Sequence, residues 1–142
     1  MSERTVRLAS ATVAAFGVVT TSYMLYVRQT EGVLVCSTGS CETVQSSAYA
    51  EVLGVPVVGL GLAGFLGLLV TALARGRWAR STQATIALCA FLFSAYLLYV
   101  QLVVIDAICQ WCLATDVLTS ALAALALMRL RFDAAPTSAR DR

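Results

Sequence analysis

The sequence contains no histidine and no lysine, and all ten of its basic residues are arginine. The missing histidine removes the commonest general base and the commonest metal ligand together. Any chemistry must therefore rest on cysteine, the eight acidic residues, hydroxyls or the backbone. Net charge is scarce as well. A formal balance of +2 argues for no nucleic-acid partner. What is plentiful is apolar surface: 59% of the 142 residues are hydrophobic and the mean hydropathy is +0.81. Soluble domains run at roughly 45–50% apolar, so an ordinary soluble domain is excluded, and the length fits one small domain.

Four apolar stretches are long enough to cross a bilayer as helix, which takes about 20 residues. They are 8–27, 55–74, 81–105 and 107–128. A cleaved signal peptide is the alternative for the first. Its apolar run exceeds the usual ~7–15 residues and no small-residue cleavage site follows, so it reads as an uncleaved span. The expected fold is an all-α membrane protein: a four-transmembrane-helix bundle with an extracytoplasmic loop and a short interfacial helix, residues 1–142 forming a single membrane domain. Orientation follows from arginine. With both termini and the loop "RGRWAR" in the cytoplasm, nine of ten arginines lie inside and only Arg28 lies outside. The end, 132–142, reads as a disordered cytoplasmic tail.

The five cysteines divide by this topology. Cys36 and Cys41 fall in the loop between the first and second spans, and Cys109 and Cys112 at the connection between the third and fourth. These two connections share one side of the membrane whatever the orientation. The arginine bias puts that side outside, where disulfides persist. Cys89 lies within the third span and reads as a small buried hydrophobe.

"CQWC" places two thiols at i and i+3 of a helix, on one face and about 4–5 Å apart in depth. A helix N-terminus favours a thiolate. Cys109 is expected at the water edge and Cys112 toward the hydrocarbon, an arrangement suited to electron transfer at the membrane surface. A zinc site built from four cysteines and a pair of inert structural disulfides are the alternatives. A spacing of CxxxxC suits zinc poorly, and a three-residue staple within one helix adds little to a bundle and fits its geometry badly. A redox relay without metal is the favoured reading.

Around the pairs, "CSTGSC" reads as a turn-rich loop, and "SSAYAEVLG" as a short amphipathic helix capped by Ser46 or Ser47 and ended by Gly54. Asp116 stands on the face of Cys109 and Cys112. A carboxyl at that depth is a functional candidate, with a bond to a neighbouring hydroxyl as the plainer alternative. Asp106 reads as a solvated helix cap, Trp78 and Trp111 as interfacial anchors at opposite faces. Gly59, Gly61, Gly64 and Gly67 are expected to let the second span approach its neighbours closely.

The run "CSTGSCETVQSSAYAEVLGVPVVGLGLAG", followed by "CQWCL" at the start of the fourth span, resembles the vitamin K epoxide reductase family in its bacterial form. The resemblance implies four helices around a quinone near the outer face, in the inner membrane of a bacterial cell. It implies that a thioredoxin-like (DsbA-type) partner hands electrons to the loop pair, which passes them to the CxxC and on to the quinone, supporting disulfide bond formation. Carried over, Cys36 meets the partner, Cys41 bridges transiently to Cys109, Cys112 contacts the quinone, and Ser47 lies close by. Two positions depart from the animal members. A quinone-facing tyrosine four residues after the CxxC is Asp116 here, and a quinone-binding asparagine falls near Val57. The acceptor is therefore a quinone of menaquinone, ubiquinone or vitamin K type, and with no fused domain before residue 142 the partner is expected to be a separate protein. A DsbB-type disulfide-forming protein has the same span number, but there the CxxC precedes the wider pair, the reverse of the order here.

Overall fold

The computed structural model describes residues 2–37 and 40–134, with side chains as far as Arg131. Helix α1 runs Glu3–Gln29, the short α2 Cys41–Gln45, α3 Val57–Leu73, α4 Arg77–Tyr99 and α5 Gln110–Ala134. Between α2 and α3 lie a 3₁₀ turn, Ala48–Ala50, and a two-stranded antiparallel hairpin of β1 (Glu51–Val52) and β2 (Val55–Pro56). Helix α4 continues through a π-helical turn over Val100–Val104.

Local chemistry explains several boundaries. Ser2 caps α1 by accepting the Thr5 N–H at 3.3 Å, with Glu3 in the first turn and Arg28 in the last, each on the side the helix dipole favours. Pro56, extended at φ −63° and ψ 132°, precedes α3 and is pre-set for a helix start. Gly76 takes φ 109° between α3 and α4, a conformation that requires glycine.

The four long helices close a ring: α1 packs on α3 and α5, and α4 packs on the same two. The core is Ala14, Phe65, Leu68, Ala84, Ala87, Leu122, Ala123 and Ala126. Alanine dominates it because packing in lipid is driven by close backbone approach rather than by hiding large side chains from water. Large apolar residues such as Phe16, Val19, Val70 and Leu92 point outward. Three helical segments, Glu3–Gln29, Arg77–Val104 and Gln110–Arg131, are long and apolar enough to cross a membrane, and α3 is a shorter apolar helix of 17 residues. This is an all-α membrane protein with a small two-stranded hairpin between α2 and α3.

Several expectations need correction. The expected helix over "SSAYAEVLG" is absent. The short helix forms earlier, at Cys41–Gln45, and the later stretch becomes the 3₁₀ turn and hairpin. The reason lies in the turn: Leu53 (φ 52°) and Gly54 (φ 80°) are both left-handed, the geometry of a two-residue hairpin loop. Leu53 is fully exposed at its tip (100%). The C-terminal helix reaches Ala134, so 132–134 are helical rather than a disordered tail, and 135–142 lie outside the described residues.

Close approach is made by a different glycine from those expected. A Cβ on Gly59, Gly61 or Gly67 would meet neighbours only at 3.5–3.6 Å, and one on Gly64 would meet nothing within 4 Å. A Cβ on Gly17 of α1 would overlap the ring of Phe65 on α3. The fourth expected span ended before Arg129, yet Arg129 is fully buried (0%). Its guanidinium donates to Gln83 Oε1, to the Thr71 carbonyl at 3.3 Å and to the Ala74 carbonyl at 3.4 Å. It thereby satisfies carbonyls that the end of α3 leaves without helical partners.

Candidate redox site

The loop after α1 is tied to the start of α5. Trp111 Nε1 donates to the Val35 carbonyl at 2.9 Å, Gln110 Nε2 to the same oxygen at 3.3 Å, and the Ser37 N–H returns a bond to Gln110 Oε1 at 3.1 Å. The Trp111 ring rests on Tyr23 of α1 with centroids 5.2 Å apart. Trp111 thus pegs the loop, a more specific task than the interfacial anchoring expected of it. On the far side of the loop, Arg28 donates to the Gln45 carbonyl at 3.0 Å and pairs with Glu51 at 2.6 Å. These straps hold both cysteine pairs at one end of the helix ring.

Cys36 and Cys41 are joined as a disulfide, Cα to Cα 6.2 Å. Cys41 opens α2 and is buried, while Cys36 is partly exposed. Cys109 and Cys112 are thiols. Among the described residues no three of histidine, cysteine, aspartate or glutamate gather as a metal-binding group.

The CxxC differs in one respect from two residues of a regular helix. Helix α5 begins at Gln110, so Cys109 stands just before it, its carbonyl accepting the Leu113 N–H at 3.0 Å. Cys109 is therefore the N-cap, and its sulfur accepts the Cys112 N–H at 3.4 Å, the role a serine oxygen usually plays. The Cys112 thiol donates to the same sulfur at 2.7 Å. That bond, with the Cys112 and Trp111 amides, outweighs burial and lowers the Cys109 pKa from 9.0 to about 7. Cys109 is not at the water edge as expected but fully buried (0%). Asp106, expected as the cap, instead sits exposed in a left-handed turn at φ 51°.

The helix start is set from eight residues upstream. Gln101, in the π-helical turn, accepts the Cys109 N–H on Oε1 at 3.1 Å and the Ala107 N–H on its main-chain oxygen at 3.2 Å. Nothing in the sequence assigns Gln101 this task. Its only signal was polarity inside an apolar run.

Behind the CxxC lies a cavity of about 500 Å³, walled by α1, α3, α4, α5 and the α2–hairpin segment. Cys112, Asp116, Ser47, Ser94, Cys89 and Gln101 all line it, among mostly apolar neighbours that include Val57. Asp116 accepts a hydrogen bond from Ser94, so the hydroxyl partner foreseen as the plainer alternative is present, on the cavity wall. Ser47 donates to the Val44 carbonyl at 2.7 Å. Gln45 turns its amide to Cys112 Sγ at 4.0 Å. Cys89 is not packed away as a small hydrophobe; it is exposed and contributes to this wall.

The structure thus brings Cys112, Ser47 and Asp116 to one cavity, with Cys109 beside Cys112 and the Cys36–Cys41 loop tied to the start of α5. A family model described as "Vitamin K epoxide reductase family" matches residues 8–127 of the 142, a stretch that contains all four long helices in whole or large part and all five cysteines. This chain belongs to the vitamin K epoxide reductase family.

Proposed function

We propose that the protein is a membrane thiol-disulfide oxidoreductase that carries electrons from an external thioredoxin-like (DsbA-type) dithiol through its two cysteine pairs to a membrane quinone. The observation that carries this reading is the Cys109–Cys112 pair. One thiol is fully buried, and the other, 2.7 Å from it, lines an apolar cavity. A single pair in that position can exchange with a disulfide on one side and a lipid-soluble acceptor on the other.

The exchange sequence balances. A partner thiolate attacks the Cys36 sulfur, the more exposed of the loop disulfide, and a second partner thiol releases Cys36; the partner leaves oxidised and the loop is left as two thiols. Cys41 then attacks Cys109 in a Cys109–Cys112 disulfide, expelling Cys112 as thiolate. Cys36 attacks Cys41, forming the loop disulfide and releasing Cys109. Two electrons have moved inward, leaving the loop oxidised and the CxxC reduced.

The cavity fits a quinone head: it is mostly apolar, with a thiol, a carboxyl, hydroxyls and an amide at one end. A quinone there takes up two electrons and two protons. Cys112 and Cys109 close to a disulfide as they give the electrons, and Asp116, four residues along from Cys112, holds and delivers a proton. Ser47 contributes its hydroxyl to the same wall. Val57 offers no amide where animal members carry asparagine, so the head must find a different donor.

In this reading the chain forms four spans, α3 included, in the inner (plasma) membrane of a bacterial cell, with both termini cytoplasmic and the site outward. The arginine bias supports that orientation. The test is quinone reduction by detergent-purified protein with a dithiol donor, comparing wild type with single alanine variants of the four paired cysteines. Cys109→Ala and Cys112→Ala abolish turnover with every donor; Cys36→Ala and Cys41→Ala lose it with a protein dithiol. Full activity without Cys112 overturns the proposal.

A further inference from the structure

We infer that Gln101 is the donor that recognises the quinone head, its side-chain amide nitrogen hydrogen-bonding a quinone carbonyl oxygen. The inference rests on the quinone-linked reading above and deepens it.

Four observations converge on this residue. Gln101 is 3% exposed and lines the cavity that Cys112 also lines. Its amide orientation is fixed by chemistry: the Cys109 N–H can only donate, so the atom 3.1 Å from it is the oxygen, and the NH₂ is the other arm. That nitrogen is buried and has no hydrogen-bond partner among the described residues. Buried amide donors are nearly always satisfied, and an exception calls for a ligand or other specific cause. Finally, the residue sits in a π-helical turn, an uncommon distortion that concentrates at functional sites.

The arrangement joins two tasks in one side chain. The oxygen holds Cys109 as the N-cap of α5. The nitrogen is the unpartnered donor of a residue that lines the cavity together with Cys112. A carbonyl oxygen gains negative charge as electrons arrive, and a donor held rigidly in an apolar surround strengthens its bond as that charge develops. Gln101 is thereby a binding residue for the acceptor and a positioning residue for Cys109. It also answers the departure at Val57, because the donor is supplied from α4's end rather than from the start of α3.

The test uses the full chain in detergent and carbonyl-labelled menadione as probe, read by infrared spectroscopy and by steady-state kinetics. Gln101→Met keeps the length and removes both polar atoms. Gln101→Glu keeps an oxygen for the Cys109 N–H and removes the amide donor. In wild type, one carbonyl band of bound menadione lies below its free frequency. Both variants lose that shift, and KM for menadione rises roughly tenfold, the scale of one hydrogen bond to a ligand. Retention of the shift in Gln101→Glu but not in Gln101→Met shows that only the contact to Cys109 matters and overturns the donor assignment. An unmoved band and unchanged KM in both variants, beside normal wild-type turnover, overturns it too. Wild type that neither binds nor reduces menadione overturns the quinone-linked reading, and this inference with it.

Discussion

The Cys112 thiol and the Cys112 main-chain N–H both point at one atom, the sulfur of Cys109, from 2.7 Å and 3.4 Å. The pair is therefore asymmetric before any substrate arrives. Cys109 is held as the better nucleophile and leaving group, and Cys112 is held facing the cavity. An i, i+3 pair inside a regular helix lacks that distinction, because both amides would be committed to the helix ladder. Placing Cys109 one step before the helix creates it.

The asymmetry has a pH signature. With Cys109 lowered to about 7 by its bond from Cys112, its thiolate forms as pH rises through neutrality. A Cys36→Ala/Cys41→Ala/Cys89→Ala protein should show thiolate ultraviolet absorbance rising with a midpoint near 7. Adding Cys112→Ala removes the largest cause and should move the midpoint up by roughly a unit or more. An unmoved midpoint means that the backbone amides alone hold the thiolate.

The relay itself can be trapped. In Cys112→Ala the Cys109 thiolate attacks Cys41 in the loop disulfide and expels Cys36, and no CxxC thiol can then release the Cys41–Cys109 bridge, so it should accumulate, visible as linked peptides by mass spectrometry without reductant. Cys36 can still open that bridge, so Cys36→Ala/Cys112→Ala, given oxidised glutathione as the two-electron oxidant that joins Cys41 to Cys109, should retain more of it. Cys89→Ala should leave it unchanged, since Cys89 lines the cavity rather than the loop. A Cys36–Cys109 link in place of Cys41–Cys109 reverses the assigned order of the loop cysteines.

Asp116 lies on the cavity wall with one hydrogen bond from Ser94 and no histidine anywhere in the chain to share its task. Asp116→Asn preserves shape and the Ser94 contact but cannot carry the proton. Quinone turnover should fall by roughly tenfold or more, the lower range of general acid catalysis, while thermal unfolding in micelles is unchanged. Equal turnover and an equal pH profile leave the residue a packing role only.

Two glycines separate packing from propensity. Gly17→Ala drives a methyl into the Phe65 ring, in the buried core, and should destabilise by about 1–3 kcal/mol, as overpacking does. Phe65→Leu in the same protein should recover part of that loss. Gly64→Ala meets nothing and should be neutral or stabilising by up to about 1 kcal/mol from helix propensity. Thermal unfolding in detergent measures both. Equal losses at the two positions would remove the close α1–α3 approach as the explanation.

The sequence by itself determined what depends on local sums and on parity. Long apolar runs mark membrane helices because hydropathy adds residue by residue. Two connections separated by two spans must share a side, which brought Cys36 and Cys41 to the end that carries Cys109 and Cys112. The CxxC spacing put two thiols within reach of one another for the same local reason. Tertiary structure decided what depends on contacts between distant segments. Where α5 starts was set by Gln101, whose oxygen takes the Cys109 N–H across a turn that no periodicity marks. The loop after α1 is held to the start of α5 by Trp111 and Gln110, seventy-odd residues away in the chain. Gly17 rather than the glycine-rich span makes the close contact because the partner ring, Phe65, lies on another helix. Arg129 is buried because the end of α3 exposes carbonyls that need a donor. A hydrogen-bond donor or acceptor is legible in a sequence, but the group that satisfies it is chosen only when the helices meet.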